Sequence, residues 1–381
     1  MTPAARLAAA IEILDQVIIA ARDGGAAADT IIQRYFSTRR YAGSKDRRAV
    51  RDLVFAVVRS LGERPVSGRA AVIGHARAHD AEMLALFGGA GHAPAALVHG
   101  EPAASPGVAP AWLERMLIDR FGADAERQAL ALLDRAPLDV RVNALRATRE
   151  AVLAAHPDWA ILPKTSHGVR LPSGTNVEEL PDYSQGQLEV QDAGSQIAAA
   201  AMAARPGETV VDLCAGAGGK TLALAADMAG EGRLIACDTD RARLSQLPPR
   251  AERAGAAVET RLLNPGGEPQ ALADLLGNCD AVLIDAPCSG SGTWRRNPES
   301  RWRLNPARLE RLVATQAMLI RLGTSLLKPG GRLVYIVCSL LPAEGEAQLA
   351  ATPELAAWRS RVLTPADDGC DGFFIAQSSR L

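Results

Sequence analysis

The sequence predicts an α/β protein: a doubly wound, Rossmann-like parallel sheet in the C-terminal half, preceded by an all-α region and a small α+β segment. Two observations carry this. From Gln191 onward, strand-like apolar runs alternate with helical stretches, and that alternation builds a parallel sheet with helices on both faces. Before Ser60, apolar residues recur instead at three- and four-residue spacing, which marks helices.

Taken in order, residues from Ala4 to Ser60 read as helical. Leu7, Ile11, Leu14, Ile18 and Ile19 form one apolar stripe, and Val50, Leu53, Val54, Val57 and Val58 form a second. Between them lie Arg34, Arg39, Arg40, Lys45, Arg47, Arg48 and Arg51, offset by Asp46 and Asp52. This basic stretch is either a solvated helix face or a surface that contacts phosphates. Phe87 to Gly107 is rich in Gly, Ala and Pro and reads as a linker. Helical pattern resumes over Pro110–Phe121 and Ala125–Asp134. Asp139–Val142 and Gly168–Leu171 are short strand-like pieces broken by Pro and Gly, as in an α+β adaptor. The later strands are expected at Val210–Leu213, Leu234–Cys237, Val258–Leu262, Ala281–Ile284 and Leu333–Val337. Ligands of such a sheet bind at the carboxyl ends of the strands.

Composition narrows the class. The 381 residues are 48% hydrophobic and 22% charged, as in ordinary globular proteins, and the length suggests two or three domains. The net charge of −1 means that any nucleic-acid affinity must come from local patches. No apolar run reaches the roughly eighteen residues of a membrane span, and no signal-peptide pattern opens the chain, so a cytoplasmic protein is expected. The six cysteines, Cys214, Cys237, Cys279, Cys288, Cys338 and Cys370, form no CxxC pair and have no histidine at ligand spacing. They read as reduced thiols, with no metal site expected.

The strand Val210–Leu213 runs into Cys214-Ala215-Gly216-Ala217-Gly218-Gly219-Lys220-Thr221, a glycine-rich turn that opens a helix. Glycines admit positive φ and close approach of a ligand, and the helix start favours a negative group. A P-loop is the rival reading of Gly219-Lys220-Thr221, with Val282-Leu283-Ile284-Asp285 as the acidic strand. The P-loop pattern needs a glycine where Cys214 stands. The next strand ends in Asp238, about 20 residues on, where an acid meets ribose hydroxyls in dinucleotide folds. These two motifs leave nicotinamide redox chemistry and methyl transfer both open. The bland alternative for Asp238 is a turn residue.

Two thiols decide between them. Asp285-Ala286-Pro287-Cys288 follows the fourth strand, and Cys338-Ser339 follows the fifth. Adjacent strand ends of a doubly wound sheet can bring both sulfurs to one cleft. Singly, each cysteine reads as a buried small hydrophobe; together with Asp285 they suggest covalent catalysis.

These residues resemble the RsmB/Sun (Fmu-like) RNA 5-methylcytosine methyltransferases. The resemblance is dense from Gln191-Asp192-Ala193-Gly194-Ser195-Gln196 to Asp371-Gly372-Phe373-Phe374. It includes Asp-Leu-Cys-Ala at 212–215, Gly-Gly-Lys-Thr at 218–221, Asp-Ala-Pro-Cys-Ser-Gly at 285–290, Arg-Arg-Asn-Pro-Glu at 295–299 and Leu-Lys-Pro-Gly-Gly at 327–331. It implies an S-adenosylmethionine methyltransferase domain over 189–381, a NusB-like RNA-binding domain over 1–100 and an adaptor resembling an RNA-recognition fold over 107–188. Ser44-Lys45-Asp46-Arg47-Arg48, Asp52-Leu53-Val54-Phe55 and Arg141-Val142-Asn143 carry the N-terminal part of the likeness.

The resemblance also implies roles. Cys338 is the attacking thiol and Cys288 assists release, although the logic of DNA cytosine methyltransferases reverses the two. Asp285 contacts cofactor and base, and Lys220 reaches the active site. Cys214, Ala215, Gly216, Ala217, Gly218, Gly219 and Lys220 surround S-adenosylmethionine, with Asp238 on its ribose and Asn264 near its adenine. The implied substrate is RNA, with small-subunit ribosomal RNA favoured over tRNA; a monomer is the default expectation. Arg295, Arg296, Arg301 and Arg303 are candidates to hold phosphates, and Trp294 and Trp302 to stack bases; the alternative is a core Trp302 and arginines paired with Glu299 and Glu310.

Three positions depart from the pattern: Ala217 replaces proline, Asn264 replaces an acid, and Val337 replaces threonine before the nucleophile. They leave open a non-catalytic RNA-binding assembly factor. None removes a group the chemistry needs. Pro342, Glu344 and Glu346 after Cys338 read as the start of a helix.

Overall fold

The computed structural model describes residues 1–352 and 354–381. The chain forms two compact units, Met1–Arg135 with Thr293–Pro306, and Ala136–Gly292 with Ala307–Leu381.

The first unit is helical: α1 Pro3–Asp23, α2 Ala28–Ser37, α3 Ser44–Ser60, α4 Gly68–His79, α5 Ala111–Phe121 and α6 Ala125–Ala131. The expected helical stretch is therefore three helices. α1 starts where the Thr2 hydroxyl accepts the Ala5 N–H ahead of Pro3, and it stops at Gly24, whose φ is +78°. Leu7, Ile13, Leu14 and Val17 of α1 pack against Val50, Val54, Val57 and Val58 of α3 in one core. Arg34, Arg40, Lys45, Arg47, Arg48 and Arg51 are exposed on α2, α3 and the turn between them. Asp46 does not offset them; its carboxylate pairs with Arg6 at 2.8 Å.

Thr293–Pro306 corrects an expectation. Trp294 and Trp302 are buried, so neither offers a face to a base. Arg301 donates to the carbonyls of Val58 at 2.6 Å, Arg59 at 3.2 Å and Leu61 at 2.8 Å, at the end of α3. Arg303 donates to Gly25 at 2.7 Å and Ala26 at 2.6 Å, just past α1. Glu299 accepts the Ala28 N–H that opens α2, at 2.9 Å. Helix ends leave backbone groups without intrahelical partners, and this segment supplies them. Arg301 and Arg303 thus bind carbonyls rather than phosphates or Glu310.

The second unit holds two sheets. The strands β1 Leu138–Val142, β2 Ala160–Ile161, β3 Gly168–Leu171 and β4 Leu188–Val190 form an antiparallel sheet in the order β2-β3-β1-β4. α5 and α6 group with the helical unit, and the small sheet groups with the larger one. Arg141 and Asn143 are both buried. Arg141 donates to Gln191 at 2.7 Å, and Asn143 donates to the carbonyls of Gly186 and Ala254 at 2.9 and 2.8 Å. These bonds seat the small sheet on the elements that follow it.

The larger sheet contains β5 Thr209–Asp212, β6 Arg233–Asp238, β7 Glu259–Leu262, β8 Cys279–Asp285, β9 Leu327–Val337, β10 Arg359–Leu363 and β11 Phe373–Ser379. Its order is β10-β11-β9-β8-β5-β6-β7. β9, β8, β5, β6 and β7 run parallel, and β11 and β10 close one edge antiparallel. Side chains alternate across it: Val211, Ile235, Val282, Leu333 and Tyr335 enter one core, Val210, Leu234, Ala281, Leu283 and Val334 the other. Both faces are covered, which explains the near-continuous apolar strands. The order reverses beside β5, and the ends of β5, β6, β8 and β9 bring the motif residues together.

Candidate active site

The turn after β5 is shaped by glycine. Gly216 and Gly218 have φ of +56° and +87°, and a Cβ on Gly218 would lie 2.1 Å from the Leu247 side chain. Beyond them the helix Gly219–Asp227 begins, and a Cβ at Gly219 meets nothing within 4 Å, so its backbone faces open space. Arg250 holds the outer side of the turn by donating to the Ala217 carbonyl at 2.6 Å.

Asp238, at the end of β6, accepts the Gly216 N–H and the Asp240 N–H, each at 2.7 Å. A carboxylate has about four acceptor sites, so two remain for hydroxyls of a sugar. Asn264 is exposed just past β7. The Leu263 N–H bonds to the Asp238 carbonyl at 2.9 Å, which sets the two strand ends side by side. An open glycine turn, an acid with acceptor capacity and an exposed amide fit a nucleoside cofactor.

Lys220 donates to Asp285 at 2.7 Å. Burial alone lowers the pKa of this ammonium; the charge and hydrogen bond of Asp285, with Cys338 and Asp212 nearby, outweigh it and raise the net value. The Asp285 side chain keeps 31% exposure, so it faces the cleft while paired.

The two sulfurs meet. Cys288 Sγ and Cys338 Sγ are 3.3 Å apart. Backbone pairing continues past the strands to put them there, since Ala286 donates to the Ile336 carbonyl at 2.9 Å and Gly292 to the Cys338 carbonyl at 3.0 Å. The hydrogen bond to Cys338 raises the Cys288 pKa well above the usual thiol value, with burial and the negative charges of Cys338 and Glu344 adding to it. Either sulfur can donate to the other at this distance.

Residues 199–356 match the model of the 16S rRNA methyltransferase RsmB/F family. A probable ribosomal RNA small subunit methyltransferase B of Synechocystis sp. is 35% identical over 250 residues, covering 63% of this chain and 55% of the relative. The ribosomal RNA small subunit methyltransferase B of Salmonella arizonae is 34% identical over 286 residues, 70% of this chain and 65% of the relative. The crystal structure of a methyltransferase homolog protein from Pyrococcus horikoshii superposes on 70% of this chain and 94% of its own, with a TM-score of 0.62 and 26% identity. Over residues 199–356 the chain is thus similar to the RsmB/F methyltransferases. The chain spans between about half and two thirds of the length of these curated relatives.

Within the matched region the structure gathers Cys214 through Lys220, Asp238, Asn264, Asp285, Cys288 and Cys338 at one end of the sheet, the end where the parallel strands finish. Two other motifs meet beside it: Asp192 accepts the Gly194 N–H at 2.7 Å and the Asp371 N–H at 3.2 Å, and the Gly372 N–H bonds to the Gly292 carbonyl at 2.8 Å. Glu344 is not at the start of an α-helix; a 3-10 turn begins at Glu346, and Glu344 itself is fully buried against the cysteine loops. Ser289, Ser339 and Gln316, which bond to Glu344, were missed in the sequence. The one signal for them was the serine that follows each cysteine.

Proposed function

We propose that this chain transfers a methyl group from S-adenosylmethionine to carbon 5 of cytosine in RNA, with small-subunit ribosomal RNA as the substrate. The observation that carries the reading is the pair of sulfurs 3.3 Å apart beside the Lys220–Asp285 ion pair. The substrate class rests on the domain family and on the names of the relatives.

S-adenosylmethionine supplies an electrophilic methyl group; the turn Cys214–Lys220, Asp238 and Asn264 are the residues that hold it. Cys338 adds to carbon 6 of the base as a thiolate, which makes carbon 5 nucleophilic. Lys220 orients Asp285, and Asp285 takes the amino group of the cytosine. Once bonded to carbon, the Cys338 sulfur is a neutral thioether. Carbon 5 takes the methyl group with loss of S-adenosylhomocysteine, and Cys288, having given its own proton to solvent, removes the proton from carbon 5. Loss of that proton expels the Cys338 thiolate and restores the double bond. The assignment of Cys338 as nucleophile and Cys288 as releasing group rests on the resemblance of the two cysteine motifs to the family.

Six exposed cations, Arg34, Arg40, Lys45, Arg47, Arg48 and Arg51, support the helical unit as a phosphate-contacting, NusB-like surface. The test is transfer of labelled methyl to unmodified ribosomal RNA, followed by nucleoside analysis. Labelled 5-methylcytidine, lost in Cys338→Ala, is expected. No label on free RNA or isolated subunits, with the protein folded, overturns the reading.

A further inference from the structure

Glu344 has no exposed surface, and a buried carboxylate is tolerated only when donors surround it. Its donors come from both cysteine loops and from Gln316 on the helix Pro306–Leu326. Oε1 accepts the Ser289 N–H at 2.8 Å and Gln316 Nε2 at 3.0 Å. Oε2 accepts the Ser339 hydroxyl at 2.6 Å and the Ser289 hydroxyl. Ser289 follows Cys288 and Ser339 follows Cys338. Ser291 extends the network: its oxygen lies 3.0 Å from the Ser339 oxygen and accepts the Leu340 N–H at 2.9 Å. The Glu344 carbonyl in turn accepts the Tyr335 hydroxyl of β9 at 2.7 Å.

We propose that Glu344 is a positioning residue for the covalent step, clasping the loop that carries Cys288 to the strand end that carries Cys338. The inference rests on these two being the reacting thiols. Four donors converge on two oxygens, a pattern that a carboxylate satisfies and an amide of the same size does not. The clasp sets the separation of the sulfurs to within the tolerance such chemistry demands. Its negative charge also acts on Cys288, behind the hydrogen bond to Cys338 and burial. One residue therefore both places the releasing thiol and, through its charge, helps raise the pKa of that thiol.

The test is Glu344→Gln in the full chain. Glutamine keeps the oxygen facing Ser289 N–H and Gln316 but turns an NH2 group towards two hydroxyls. Methyl transfer is expected to lose about a hundredfold in kcat with the KM for S-adenosylmethionine unchanged, since Glu344 bonds to no residue of the cofactor turn. The second readout needs no RNA: iodoacetamide alkylation of each cysteine, followed by mass spectrometry across a pH series. Cys288 should alkylate about tenfold faster near pH 8 and converge with the wild type at high pH, because the thiolate is the reactive form. A wild-type alkylation profile for Cys288 overturns the proposal, and so does an unchanged kcat in an active enzyme. If the wild type transfers no methyl group, the functional reading falls while alkylation still decides the role of Glu344. Should Glu344→Gln fail to fold, Ser289→Ala replaces it. Loosening of the Cys288 loop is then expected to raise Cys288 alkylation severalfold, and wild-type reactivity there overturns the clasp.

Discussion

Asp212 at the end of β5 gives a pH signature that can be worked through. It has no exposed surface, and burial pushes its pKa from 3.8 up to about 7. A hydrogen bond from Thr221 at 2.7 Å and the Lys220 charge pull the other way without cancelling burial. The folded value lies above the unfolded one, so the native state binds the proton more tightly. The group's contribution is therefore complete below about pH 4 and is lost as pH rises towards 7. The shift spans roughly three pKa units, and at about 1.4 kcal/mol each the loss is about 4 kcal/mol by pH 8. Asp212→Asn removes the titration and keeps the shape. Its stability relative to the wild type should be near zero below about pH 4, already favour the variant by about 1.5 kcal/mol at pH 5, and rise further with pH. For a domain of this size 1 kcal/mol moves Tm by about 2–4 °C, so the Tm difference should grow by about 3 °C or more per pH unit up to 7. It should then level off. The assay is calorimetry of both proteins between pH 5 and 9 at fixed ionic strength. A Tm difference that stays constant over this range refutes the argument that Asp212 is protonated through burial.

Two further outcomes follow from named contacts. Cys288→Ala leaves Cys338 able to add to the base but removes the group that takes the carbon-5 proton, so a protein–RNA adduct that survives SDS should accumulate; Cys338→Ala should form none, and the reverse pattern exchanges the two roles. Arg301→Ala strips the donor from three carbonyls at the end of α3, and urea unfolding of the full chain should show a loss of about 3 kcal/mol, whereas a loss under about 1 kcal/mol contradicts the capping role.

The parts legible in the sequence are those whose cause is local. β5, β6, β8 and β9 stand where apolar runs place them, because a strand covered on both faces must be apolar throughout. The glycine turn, Asp238 and Asp285 declare themselves because they sit at strand ends, where the chain must turn. β10 is different: Arg359, Ser360 and Arg361 are exposed, so its edge position leaves little apolar pattern to read. β2 is two exposed residues long and likewise unpatterned.

Distance in the sequence hid the rest. Arg301 looks like a surface cation until the carbonyls of Val58 and Leu61 are seen beside it, more than 200 residues away in the chain. A guanidinium can be buried only where several acceptors converge, and the end of a helix is such a place. Trp294 and Trp302 follow it inwards. The same logic separates Glu344 from Glu346, two residues on. Both suit a helix start, and Glu344 meets the serines behind two cysteines that are 50 positions apart. Repetition of Cys-Ser at two strand ends implies a shared partner, since two buried hydroxyls facing each other need an acceptor. An acid is the one side chain that can accept from both at once and take the backbone N–H as well. The buried carboxylate is thus a consequence of bringing the two thiols together, and the chemistry proposed for the sulfurs depends on it.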